Sequence, residues 1–145
     1  MKTNTTVSIN KKAKFEYEFI RVETAGIVLM GSEVKSIRAG KISIAESYCV
    51  FDGDELFLRN ANISEIGSAF SHNSKQDRKL LLKKTELVKL KKELVKGFTV
   101  VPYKVFINEK GKIKVEVVLA KGKKIYDKRE TIKERDIQKQ IQNSF

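Results

Sequence analysis

Residues able to do covalent chemistry are few in this chain. Cys49 is the only cysteine and His72 the only histidine among 145 residues. A disulfide needs two thiols, and a structural zinc site needs about four Cys, His or carboxylate ligands. Cys49 stands in "SYCVF", an apolar, strand-like run. There a thiol packs as a small hydrophobe and stays inert. Glu16 and Glu18 alternate with aromatics, which reads as a solvated strand face and not as an acid/base pair. His72, in a polar stretch, suits contact with RNA and plain exposure equally. GxSxG elbows and Cys/His pairs are absent, and "AKGKK" at Ala120–Lys124 lacks the spacing of a P-loop. The sequence predicts no enzyme, no metal and no cofactor.

Cationic chemistry is what the chain has in quantity. Thirty Lys and Arg oppose eighteen Asp and Glu, giving +12. A balance so basic points to a polyanionic partner, nucleic acid first. The surplus is concentrated. Lys75 to Lys96 holds nine basic and three acidic residues, net +6. Lys121 to Phe145 holds eight basic and four acidic ones, net +4. Two such elements predict two polyanion-facing surfaces, although a single lysine on a helix is commonly just solvated.

The elements that must carry these charges follow from hydrophobic spacing. One domain fits the length. "FEYEFIRVE" alternates with period two, and Thr24, Ala25 and Gly26 read as a turn into a second strand, "GIVLM". Ser32 is placed to cap a short helix carrying Val34 and Ile37, with Gly40 as its stop. Asp52-Gly53-Asp54 joins "SYCVF" to "ELFLRN" as a hairpin, and "ANISEI" fits a further strand. Residues 67–76 read as a mobile loop. Thr85 to Lys96 reads as a helix with Leu87, Leu90 and Leu94 on one stripe. "FTVVPYKVFI" and "KIKVEVVLA" form a second hairpin, with Pro102 marking an edge or a bulge. About six strands with two helices predict a mainly β fold, an OB-like antiparallel β-barrel, with an open α+β sheet as the alternative.

The expected division is a flexible N-terminus at 1–9, the barrel at 10–120 and a basic tail at 121–145. In the tail, Asp127 with Glu130 resembles a capping box, and good helix formers follow. Its apolar stripe is thin, so it is expected to be disordered alone and to fold on a partner. The N-terminus lacks the apolar core of a signal peptide and no run approaches ~20 apolar residues. A soluble, cytoplasmic protein away from membranes is expected.

Four blocks carry a family resemblance: "NKKAKFEYEF", "AGIVLMGSEVKSIRAGK", "DRKLLLKK" and "AKGKKIYDKRETIKER". In this order, from about Asn10 to Ile137, the chain resembles the SmpB family of transfer-messenger RNA (tmRNA) binding proteins. The resemblance implies that the barrel binds the tRNA-like domain of tmRNA. It implies Asn10, Lys11, Lys12, Lys14, Phe15, Arg38, Lys41, Arg78 and Lys79 as tmRNA contacts. It also implies a tail that turns helical in the empty mRNA channel of a stalled ribosome, near the small-subunit decoding centre. Lys121, Lys123, Lys124, Tyr126, Asp127, Lys128, Arg129, Lys133 and Arg135 are the implied tail residues, with Tyr126 stacking on a ribosomal base. Elongation factor EF-Tu would engage indirectly, through aminoacylated tmRNA, and the chain would act as a monomer. Phe15 stands where the family commonly has His; it can stack but cannot hydrogen-bond. A generic structured-RNA-binding or ribosomal protein is the alternative.

Overall fold

The structure is a computed structural model that describes residues 4–64 and 73–122. These form nine strands and three helices. In chain order they are β1 (Thr5–Ile9), α1 (Ala13–Glu16), β2 (Tyr17–Ile27), α2 (Gly31–Arg38), β3 (Ile42–Ser43) and β4 (Tyr48–Asp52). There follow β5 (Glu55–Arg59), β6 (Asn62–Ile63), β7 (Arg78–Leu81), α3 (Lys84–Val95), β8 (Thr99–Ile107) and β9 (Ile113–Gly122).

Seven strands make one antiparallel sheet in the order β1-β8-β9-β2-β7-β5-β4, and β3 pairs with β6 separately. β4, at the far end of this order, returns to lie against β8. The sheet thus rolls on itself as an OB-like barrel. Among the described residues no ladder joins β4 to β1, so the roll closes by packing. Inside, Leu56, Leu58, Leu80, Val115, Val117 and Leu119 are buried with Ile37 from α2 and Leu90 from α3. Inward residues two apart on strands and three or four apart on helices supply this core, as period predicts. A smaller cluster on the other face of β9 gathers Val118 and Ala120 with Ala13 and Val101, flanked by Tyr17, Phe19 and Tyr103.

Three expectations are corrected. Residues 5–9 are not a flexible leader. They form β1, paired to β8 from Thr5↔Ile107 to Ile9↔Lys104, because the outer edge of β8 would otherwise leave its N–H and C=O groups open. Thr24, Ala25 and Gly26 are not a turn. β2 runs straight through them, pairing with β9 from Tyr17↔Gly122 to Gly26↔Lys114. Their small size serves close packing: Ala25 is fully buried, and a Cβ on Gly26 would sit 3.3 Å from Leu81 Cβ. Ser32 is not the cap of α2. Met30 is, and its backbone N–H donates to the Glu33 carboxylate at 2.8 Å. Pro102 does mark a bulge, between Pro102 and Lys104 on β8. Gly53, at φ 62, closes the β4–β5 hairpin in the left-handed region that glycine tolerates.

Candidate nucleic-acid interface

The N-terminal block is built on the end of β1. Asn10 is 6% exposed. Its backbone N–H donates to Tyr103 O at 2.7 Å and its Nδ2 to Pro102 O at 3.2 Å. These bonds pin the chain where it leaves the sheet, so Asn10 acts first as an anchor. Lys11, Lys12 and Lys14 then stand exposed on and before the single turn of α1. Lys12 Nζ lies 3.4 Å from Glu46 Oε1, an exposed pair that a phosphate can displace at little cost. Lys14 Nζ lies 5.4 Å above the Tyr103 ring, and Tyr103 meets Phe19 edge to face with centroids 5.1 Å apart. Phe15 is half-buried on α1. Asn10, Lys12, Tyr17, Glu46 and Tyr48 share a recess of about 380 Å³. Cations interleaved with aromatics suit RNA, where phosphates take the charge and bases the rings.

Across the β2–β9 ladder this block meets the root of the tail. Lys121 is exposed and opposes Glu18, and Gly122 opposes Tyr17. The remaining tail residues of the reading, Lys123, Lys124, Tyr126, Asp127, Lys128, Arg129, Lys133 and Arg135, lie outside the described residues, as does His72.

Arg38 belongs elsewhere. It ends α2, and its Nη2 donates to Gly111 O at 2.9 Å in the β8–β9 turn. With Leu29, Val34, Leu81, Lys112 and Lys114 it lines a groove of about 420 Å³. Lys114 opposes Gly26, whereas Gly122 opposes Tyr17, so roughly 25 Å of strand separates this groove from the N-terminal lysines. Lys112 and Lys114 form no basic run in the sequence, Lys112 standing just before β9 and Lys114 within it. Tyr103 escaped the sequence reading because only the fold brings it to Lys14. Lys41 is exposed just after α2, its backbone held by Ser36 O at 2.8 Å. Lys79 is partly exposed and pairs with Glu55 at 3.0 Å.

Arg78 does not reach the surface. It is 2% exposed. Its Nε donates to the Glu33 carboxylate, Nη1 to Ala61 O at 2.8 Å, and Nη2 to Asn73 O and Ser74 O at 3.2 and 3.1 Å. A guanidinium 2% exposed, with four of its five N–H donors engaged within the fold, is turned inward and away from RNA. Within "DRKLLL" the exposed cation is Lys79.

Three other described ionisable groups are shifted by their surroundings. Burial pushes the Cys49 thiol well above its ordinary range, as for an inert side chain. The Lys83 backbone N–H, donating to Glu86 at 3.1 Å, holds that carboxyl below the usual range, with Glu23 adding to the effect. Asp77, by hydrogen bonding and charge, raises the pKa of Arg59. Among the described residues no three His, Cys, Asp or Glu side chains cluster to hold a metal ion, and no helix is long and apolar enough to cross a membrane.

Comparison with known proteins points to one family. The model of the SmpB protein family matches residues 7–145. The SsrA-binding protein of Flavobacterium psychrophilum is 56% identical over 135 residues, 90% of each chain. That of Cytophaga hutchinsonii is 52% identical over 138 residues, covering 92% of this chain and 89% of the relative. Among solved structures, a chain from work on tmRNA-SmpB in the bacterial ribosome superposes with a TM-score of 0.68 at 41% identity, over 86% of this chain and 92% of that one. A family model matched over residues 7–145, with relatives more than half identical over nine-tenths of the chain, places this chain in the SmpB family.

Proposed function

We propose that this chain binds the tRNA-like domain of tmRNA through its barrel and brings it to stalled ribosomes for trans-translation. The tail beyond Gly122, where β9 ends, occupies the empty mRNA channel near the decoding centre and stands in for the missing codon–anticodon pairing. The observation that carries the reading is the β2–β9 ladder. It sets Lys11, Lys12 and Lys14 beside the root of the tail, so one strand pair serves an RNA-facing surface and launches a second basic element. The names of the relatives support the same RNA partner. Lys11, Lys12, Lys14 and Phe15 contact tmRNA, with Asn10 holding the block in place. Arg38, Lys41 and Lys79 extend contact to other parts of the barrel. EF-Tu joins through the aminoacylated RNA without touching this chain's chemistry. The protein acts as a cytoplasmic monomer and leaves peptide-bond chemistry to the ribosome.

Binding to the tRNA-like domain, to an ordinary tRNA and to an unstructured RNA of equal length, across a salt series, tests this. Affinity for the tRNA-like domain is expected to persist at physiological salt while the others fall away. Equal affinities that collapse together would mean that counterion release acts alone, and a generic RNA-binding role would replace this one.

A further inference from the structure

Helix α3 has two apolar stripes and the core uses one. Leu90 is buried, and Leu87 and Leu94 pack against the core cluster. Val88 and Val95, two turns apart on the outer flank, are 46% and 87% exposed. With Leu87 and the lysines Lys84, Lys91 and Lys92 they line a groove of about 280 Å³. A second hollow of about 410 Å³ adjoins it past Val88, where Thr85 and Lys89 complete the lining. Valine forms helix less readily than alanine or lysine. Two exposed valines therefore gain α3 nothing by themselves.

The rim decides what fits the floor. Four lysines surround it, and the one acid among the lining residues, Asp54, is paired with Lys91 at 3.1 Å. This chain's own tail carries net +4 and would meet like charge there, as would a second copy's α3. RNA would satisfy the lysines. It would find only Leu and Val below them, with no ring on which to stack a base. A helix with carboxylates beside an apolar edge matches both features, in the usual helix-in-groove manner. We propose that the outer face of α3 docks an acidic, amphipathic segment of a partner protein. Its apolar side chains cover Val88 and Val95, and its carboxylates meet Lys84, Lys91 and Lys92. This surface is independent of the RNA reading.

The test uses the full chain, isotope-labelled for NMR, and a probe helix with leucines on one face and glutamates elsewhere. A peptide of the same composition with its leucines scattered, and an oligouridylate, are the controls. The probe is expected to shift the α3 amides saturably, and the scattered peptide to bind at least about tenfold more weakly. Val88→Asp and Val95→Asp, both at exposed positions, are each expected to weaken the probe about tenfold with the rest of the spectrum unchanged. Lys84→Glu with Lys92→Glu is expected to transfer preference to a probe with lysine in place of glutamate. Equal binding of the scattered peptide or of oligouridylate on α3 would overturn the proposal in favour of a simple polyanion face. Concentration-dependent α3 shifts in the free protein, or α3 shifts on removing residues 123–145, would overturn it in favour of a second copy or of the tail. Absence of saturable shifts with the probe would overturn it outright.

Discussion

Arg78 shows how little a basic residue's type says about its use. Its side chain and that of Glu33 are each 1% exposed, and it gathers the carbonyls of Ala61, Asn73 and Ser74. Arg78→Met would leave a carboxylate and three carbonyls buried without these donors. It is expected to lower unfolding stability by ~3–5 kcal/mol, read by urea denaturation. Glu33→Leu combined with Arg78→Met is expected to recover part of that loss, because the stranded charge goes too. A full-sized loss of RNA affinity in Arg78→Met with no loss of stability would show the arginine to be a contact after all. The Lys79–Glu55 pair is the contrast. Both side chains are about half exposed, so Glu55→Gln is expected to change stability by less than ~1 kcal/mol. Glu86 adds a pH dependence. Its pKa is lowered in the fold, so its contribution is fully present above the ordinary carboxylate range and is lost as pH falls through the lowered value. Glu86→Gln keeps an oxygen that can accept from the Lys83 N–H and removes only the charge, so it is expected to flatten the acid limb of stability against pH at a cost of no more than about 0.5 kcal/mol at neutral pH. Melting curves from neutral to acid pH measure both.

Elements with a local signature were legible in the sequence, and elements defined by partners were not. The leucine stripe of α3, the Asp-Gly hairpin of β4 and β5 and the bulge at Pro102 each follow from neighbours in sequence. β7 did not announce itself, because "RKLL" has no alternation and its pairing with β2 and β5 is long-range. At Thr24–Gly26 small residues signal a turn as well as close packing, and only Leu81 across the sheet decides for packing. The lysine run from Lys11 to Lys14 is legible in the sequence, whereas the ring beside Lys14, Tyr103, needs the fold. "TTVSI" is short and carries little alternation, so sequence alone does not separate a leader from β1, whose Val7 packs on the core. Deleting Met1–Ile9 separates the two descriptions. A leader would be dispensable. A strand covering the edge of β8 is expected to cost on the order of 3 kcal/mol, and residues 104–107 are expected to lose protection from hydrogen exchange. Unchanged protection there would mean that β8 does not depend on β1.

At the scale of the molecule, the division of one task between barrel and tail is a proposal that their charges make testable. Residues 127–145 carry five basic and four acidic residues, so removing them takes one unit from a net charge of +12. The general attraction of the protein for RNA is set by the charges that remain, including Lys121, Lys123 and Lys124. Truncation before Asp127 is therefore expected to change affinity for the tRNA-like domain by less than about threefold and to leave its salt slope nearly unaltered. Tagging of peptides on stalled ribosomes is expected to disappear, because the part of the chain with unspent helix propensity is the part that would fold inside the channel. Lost charge could not account for that result, since almost none is lost. If RNA affinity and tagging fell together, the tail would be part of the tmRNA surface. The β2–β9 ladder would then build one continuous interface and not a junction between two.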